Sequence, residues 1–322
     1  MAYGQRCAMS ALFQALEAYL ALRRGLGSEL QGPGARLHRF VEFLDRERSA
    51  VVTTKLALRW AMTPAGATPA TWAQRLADVR RFATWLSATD SRTEIPPPGL
   101  LPERYRRRPP YIYSDEEVAH VVREAARLLS PLGLRAHTYS TLFGLLAATG
   151  LRLGEAVALD RDDVDLNVGV LAVRRAKFGK SRFVPVHDST RRAVRRYAQV
   201  RDLLLPRPAS PAFLLSERGT RVTHCSADYN FAVVSRAVGL RPPTRGHRHG
   251  RGPRLHDMRH RLAVRALIRW YREGRDVERE LPKLSTYLGH VHVADTYWYI
   301  EAVPELLRLA TERATGPRKE AL

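Results

Sequence analysis

The stretch from Pro96 to Pro110 constrains the chain more than any other. It reads Pro96-Pro97-Pro98-Gly99 and then, beyond Arg104, Arg106-Arg107-Arg108-Pro109-Pro110. Proline has no amide donor and its ring clashes with a preceding helical turn, so no helix can run through this segment. The 322 residues are therefore expected to fold as two bodies, 1–95 and 113–322, joined by an extended connector over 96–112. Each body is long enough to build its own core.

The first body reads as a bundle of helices. Leu12, Leu16, Tyr19 and Leu20 fall on one helical face, as do Leu37, Phe40, Val41 and Leu44. A third stripe, Trp72, Leu76, Val79 and Leu86, follows a Thr68-Pro69 start signal. Arg75, Arg80 and Arg81 lie largely off that stripe, on a face that could meet a polyanion or simply water.

The second body opens at Ser114-Asp115-Glu116-Glu117, a capping-box pattern. Val118, Val121, Val122, Ala125 and Leu129 continue one face. The next helix turns Tyr139, Leu142, Phe143 and Leu146 inward and ends at Gly150. Val168–Ala176 and Arg182–Val186 are β-rich runs about a Lys-Phe-Gly-Lys turn, a predicted hairpin. The remainder reads mostly helical, apart from a long charged stretch, Arg272 to Pro282, which could be a surface loop or could alter how subunits meet. The fold class predicted is mainly α with a small β-hairpin or sheet (α+β).

The formal net charge is +21 and is spread over the chain. Residues 1–108 hold 17 basic against 9 acidic side chains, and the remainder holds 36 against 23. Both bodies are then suited to touching one polyanion, and the connector arginines Arg104, Arg106, Arg107 and Arg108 would make a cationic strap along it. No stretch approaches the roughly 18 apolar residues of a spanning helix. Cys7 and Cys225 stand far apart in no ligand spacing, which disfavours a disulfide framework or zinc site. The N-terminus lacks the apolar core of a secretion signal, so a cytoplasmic protein is expected.

Several residues carry chemistry. Arg152 and Glu155 lie in Thr149-Gly150-Leu151-Arg152-Leu153-Gly154-Glu155. A guanidinium fork matches two phosphate oxygens, and Glu155 could hold that fork in place. Lys177 and Lys180 are two of only five lysines against 48 arginines, so an ionisable amine is retained where arginine is the rule. His256 and Arg259 share a helical face in His256-Asp257-Met258-Arg259-His260, a cluster that could serve a phosphate or, less readily, a metal. His290 follows Leu288-Gly289, and Tyr297 and Tyr299 follow it. Two arginines, a lysine, two histidines and a tyrosine are what metal-free attack on a phosphodiester requires: an oxygen nucleophile, and cations for the charge that builds on phosphate.

In this order the boxes resemble the tyrosine recombinases, the DNA integrase and resolvase family. The resemblance spans the chain and implies a two-domain C-shaped clamp, a helical core-binding domain plus a catalytic domain. It assigns Arg152, Lys177, His256, Arg259, His290 and Tyr299 as catalytic. The family hairpin places its catalytic lysine at Lys177 rather than Lys180, although Ala176 and Phe178 replace its glycines. The spacing Leu-Gly-His, eight residues, Tyr selects Tyr299 over Tyr297, leaving Tyr287, Tyr297 and Trp298 to the core.

The activity implied is site-specific DNA cleavage and rejoining through a 3′-phosphotyrosyl link, with no metal, nucleotide or other cofactor. The partner implied is double-stranded DNA at specific core sites, bound by a homotetramer, alone or with sister recombinases, in a nucleoid-associated cytoplasmic setting. The boxes Lys-Phe-Gly-Lys-Ser-Arg and Asp-Thr-Tyr-Trp-Tyr look more like recombinases of transposons and integrated elements than chromosome-dimer resolvases. The C-terminal helix around Leu306, Leu307 and Ala310 could dock on a neighbour or in cis. A type IB topoisomerase activity and a non-catalytic DNA-binding partner are the alternatives.

Overall fold

The computed structural model describes residues 11–28, 30–63, 65–102, 110–174, 181–243, 252–290, 292, 296–297, 299–300 and 303–315. Lys177, Lys180, Arg104, Arg106, Arg107, Arg108 and Trp298 lie outside the described residues. The chain divides into two compact units, Met1–Arg107 and Arg108–Leu322.

The first unit is a four-helix assembly: α1 (Ala11–Gly25), α2 (Gln31–Arg46), α3 (Thr54–Met62) and α4 (Pro69–Leu86). The stripes read from the sequence all turn inward, with Leu16, Leu20, Phe40, Val41, Leu44 and Val79 fully buried, whereas Trp72 is only half-buried. Helix α3 carries no long stripe of its own. It is started by Thr53, whose hydroxyl accepts from the Leu56 amide at 3.2 Å, and it seats Trp60 against Phe40. The buried Asp78 gathers Arg36 (2.6 Å), Gln74 (3.2 Å) and Arg81. Arg80 clasps the start of the proline run, donating to the Pro96 and Pro97 carbonyls at 2.7 and 2.9 Å.

The second unit begins with the Ser114 capping box and α5 (Asp115–Ala125). That helix ends four residues short of Leu129, which is 88% exposed and not part of the buried face. Periodicity continued beyond the residues that find a partner. Helix α6 (Leu134–Thr149) is closed by Gly150 at φ 64°, and the short α7 (Leu153–Ala158) starts directly after it. An antiparallel sheet of β1 (Val164–Asp165), β2 (Val170–Val173) and β3 (Arg182–Pro185) follows, with Val170 opposite Pro185 and Val173 opposite Arg182. The expected antiparallel pairing is present over these shorter spans, while the Lys-Phe-Gly-Lys turn lies outside the described residues; the two-residue β1 is too short to leave a pattern.

Then come α8 (Asp188–Leu204), α9 (His224–Ala237), α10 (Leu255–Arg272), α11 (Val277–Leu288) and α12 (Pro304–Thr315). Of the stretch Arg272–Pro282 only residues 273–276 form a turn; Val277 onward is helix. Asp276 caps α11 through the Glu278 and Arg279 amides, and Pro282 lies inside that helix. Helix α12 packs against α10 of its own chain: Leu306 is fully buried and Glu305 accepts from Arg272 at 2.8 Å. Leu307 is 53% exposed. Among the described residues no helix is long and apolar enough to cross a membrane.

Candidate active site

The site is built where two helices end. The last carbonyls of a helix have no partner within it and lie at the negative end of its dipole, so they attract cations. The C-termini of α6 and α11 both close on left-handed glycines, Gly150 and Gly289. Arg259, near the start of α10 and 1% exposed, donates to Gly150 O at 2.8 Å and to Leu288 O at 2.6 Å, tying the two ends together. Arg152, the residue preceding α7, donates to Gly289 O at 2.9 Å and to Glu155 Oε1 at 2.7 Å. Burial and the nearby Arg152 bring the Arg259 pKa down to about 10, which still leaves it charged at neutral pH.

Glu155 is the carboxylate that organises this cluster. Arg182, from β3, grips it bidentately at 3.1 and 2.8 Å and places its Nε 2.9 Å from the Tyr287 carbonyl. Burial opposes the charge on Glu155, but the Arg182 hydrogen bonds, the Arg152 amide, the Arg182 charge and the Arg152 side-chain hydrogen bond prevail and hold its pKa at about 2. Arg182 was not singled out from the sequence. Its position in the family's hairpin pattern was the available signal, but its partners are 27 and 105 residues away along the chain. Gly289 is required here twice: its φ is 68°, and a Cβ would fall 2.7 Å from Arg182 Nη1.

The histidines and the tyrosine complete the cluster. His256 is exposed at its outer edge and packs edge to face on His260, centroids 4.6 Å apart. Desolvation of its packed side, with the charges of Arg259 and Arg254, pulls its pKa to about 4, so it is neutral at pH 7. Asp257 is committed to the start of α10, accepting from the Arg254 amide at 2.7 Å. Among the described residues no group of three His, Cys, Asp or Glu side chains could hold a metal.

His290 has its Nδ1 2.8 Å from Thr296 Oγ1 and stacks on the Tyr299 ring at 6.4 Å. Tyr299 is 2% exposed, and its hydroxyl lies 3.1 Å from His260 Nδ1. A negative charge on Tyr299 would stabilise the Arg259 cation, so the phenol lies within electrostatic reach of the arginine cluster. Tyr297 is 46% exposed rather than in the core, because the helical turn that buries Tyr299 points its second neighbour outward.

The arrangement can hold an anion in a ring of oriented cations beside a phenol. The chain matches the Phage integrase family over residues 114–305. It belongs to that family. It is 46% identical over 309 residues to the putative integrase/recombinase y4rB of Sinorhizobium fredii, covering 95% of this chain and 97% of that one. It is also 28% identical over 307 residues to the tyrosine recombinase XerC of Mycobacterium leprae, covering 92% and 91%. Among solved structures, the Tn1549 transposon integrase in complex with transposon right end DNA superposes with a TM-score of 0.62 at 16% identity, covering 94% and 99%. The protein is a tyrosine recombinase, mainly helical with one small sheet.

In this recombinase the structure brings Arg152, Glu155, Arg259, His256, His290 and Tyr299 into one neighbourhood, joined by Arg182 and His260. Arg75, Arg80 and Arg81 of the first unit are engaged within it. Arg75 stacks on Trp60 at 3.7 Å and donates to its carbonyl at 2.9 Å; Arg80 holds the proline run; Arg81 pairs with Asp78 and is the most exposed of the three. A helical stripe reports which side faces the core but not how far an arginine reaches back across its neighbours.

Proposed function

We propose that this recombinase binds specific double-stranded DNA sites and exchanges strands through a covalent link on Tyr299. The observation that carries the reading is the ring of Arg152 and Arg259 on the helix-end carbonyls with the Tyr299 phenol in electrostatic reach. A guanidinium has five N–H groups. Among the described residues, two on each of these arginines anchor it, which aims the rest of the fork without exhausting it.

The Tyr299 oxygen attacks phosphorus, the bond to the 5′ oxygen breaks, and the DNA 3′ phosphate stays on the tyrosine. Arg152 and Arg259 neutralise the charge of the pentavalent transition state, with His256 contributing as a neutral hydrogen-bond donor and His290 supporting the same oxygens. Lys177 protonates the leaving 5′ oxygen as general acid. Attack by a partner strand's 5′ hydroxyl reverses the step, and the ester conserves the bond energy, so neither a metal nor a nucleotide is needed. The connector arginines Arg104, Arg106, Arg107 and Arg108 meet the DNA backbone, with Arg81 the most open candidate on α4. The family resemblance supports a tetramer on paired sites, acting on a mobile element.

A duplex nicked beside the scissile phosphate tests the reading. Its short fragment diffuses away and traps the covalent adduct, read on a denaturing gel in excess chelator. Tyr299→Phe should bind the DNA but form no adduct, and Tyr297→Phe should form it. An adduct that persists in Tyr299→Phe, or one abolished by chelation and restored by a divalent ion, refutes the scheme.

A further inference from the structure

Next to the arginine ring lies a buried imidazole that strand cleavage by the six catalytic residues leaves without work. His260 follows Arg259 on α10, is 5% exposed, and has its Nδ1 3.1 Å from the Tyr299 hydroxyl, with the rings edge to face at 5.3 Å. A buried phenol needs a hydrogen-bond partner in any case. What distinguishes this contact is the atom held: it is the oxygen that must lose its proton for the ester to form. An unassisted phenol titrates near 10, so only about one in a thousand is ionised at pH 7. An imidazole is the side chain whose proton affinity suits removing that proton near neutrality. His290 presents its ring face to Tyr299 and its Nδ1 to Thr296, and His256 meets the edge of His260 from the previous helical turn.

We propose that His260 is the proton acceptor for Tyr299. This rests on Tyr299 being the nucleophile. His260 is neutral with its proton on Nε2. As the Tyr299 Oη–phosphorus bond forms, the Oη–H bond breaks and the proton passes to Nδ1. The phosphorus–O5′ bond breaks and O5′ takes its proton from the general acid. On rejoining, the 5′ hydroxyl attacks and gives its proton back to the general acid, the tyrosyl ester breaks, and His260 returns its proton to Oη. Among the described residues, the titratable and charged groups facing His260 and Tyr299 include His256 and Arg259 on α10 and His290 beyond α11.

Peptide mapping of the wild-type adduct comes first: an adduct on another residue would sink the nucleophile assignment by itself, before any His260 variant is tested. With the adduct on Tyr299, His260→Asn retains an acceptor oxygen near the Nδ1 position but cannot take a proton, and His260→Phe retains only the ring. Both should bind the nicked duplex as the wild type does. Both should cleave it about 10²–10⁴-fold more slowly in a single turnover. Their rates should climb about tenfold per pH unit above neutrality, where wild type levels off once its imidazole is neutral. Wild-type cleavage by His260→Asn would reduce His260 to a positioning role and overturn the proposal. Should both variants fail to fold, nitrogen-15 spectra of the wild type and Tyr299→Phe decide. The His260 Nδ1 should be an unprotonated acceptor whose resonance moves when the hydroxyl is removed; a proton resident on Nδ1 overturns the proposal.

Discussion

Glu155 should be the residue on which the order of the arginine cluster depends. Its side chain is 7% exposed and accepts from Arg152 at 2.7 Å and from Arg182 at 2.8 Å, so its removal leaves two guanidinium groups facing Arg259 without a counter-charge. Its pKa falls from an ordinary 4.5 to about 2. At ~1.4 kcal/mol per unit, that shift is worth about 3 kcal/mol of stability at neutral pH. Breaking one side of a buried pair costs about 3–5 kcal/mol in general, and the partial exposure of Arg152 favours the lower end. Glu155→Gln should therefore lower the unfolding temperature by about 6–12 °C, since 1 kcal/mol moves a unit of this size by about 2–4 °C.

The pH dependence identifies the cause. The folded pKa is depressed, so the contribution is complete above the unfolded value of 4.5 and is lost as pH falls towards about 2. Measured by calorimetry, the gap between wild type and Glu155→Gln should be constant from neutrality to mildly acidic pH. It should then shrink by about 1.4 kcal/mol per pH unit across that window. Arg182→Met should be destabilising too, and the double variant should cost at least about 1 kcal/mol less than the sum of the singles. A gap at pH 7 below about 1 kcal/mol, or one unaffected by acidification, would refute the ion-pair account.

The same geometry sets outcomes at other positions. Gly289→Ala forces a left-handed backbone costing about 1–2 kcal/mol on an L-residue and drives a methyl into the pinned Arg182 guanidinium, so cleavage should suffer more than DNA binding; equal losses would contradict this. The His256 ring should titrate near 4 by proton NMR, rising when Arg254 is replaced by alanine; a midpoint in the ordinary imidazole range would remove the electrostatic argument. Lys177→Ala should slow cleavage by about 10²–10⁴-fold and be rescued by a 5′-bridging sulfur that needs no protonation, whereas an Arg152→Ala variant should not; rescue of Lys180→Ala instead would move the acid. Replacing two of Arg104, Arg106, Arg107 and Arg108 should flatten the slope of log affinity against log salt by about 2; an unchanged slope would take the connector off the DNA.

Local signals were legible in the sequence because they act over one or two turns. The Ser114 capping box, the Gly150 terminator, the buried faces of α1, α2 and α6, and the hairpin pairing β2 with β3 are such features. The ordered boxes also pointed to the family: the chemistry demands those residue types, and their order along the chain is a property of the fold rather than of the reaction. Where periodicity was carried past the end of α5 it failed, since Leu129 is exposed; Tyr297 is exposed although the choice of Tyr299 left it to the core, and the charged stretch Arg272–Pro282 enters a capped helix.

What only the tertiary structure decided is who holds whom. Arg259 meets a carbonyl 109 residues away, Arg182 joins Glu155 to the end of α11, and His260 meets Tyr299 across 39 residues. A motif names the cation but not its partner, since hydrogen bonds form between atoms that folding brings within about 3 Å, whatever their separation along the chain.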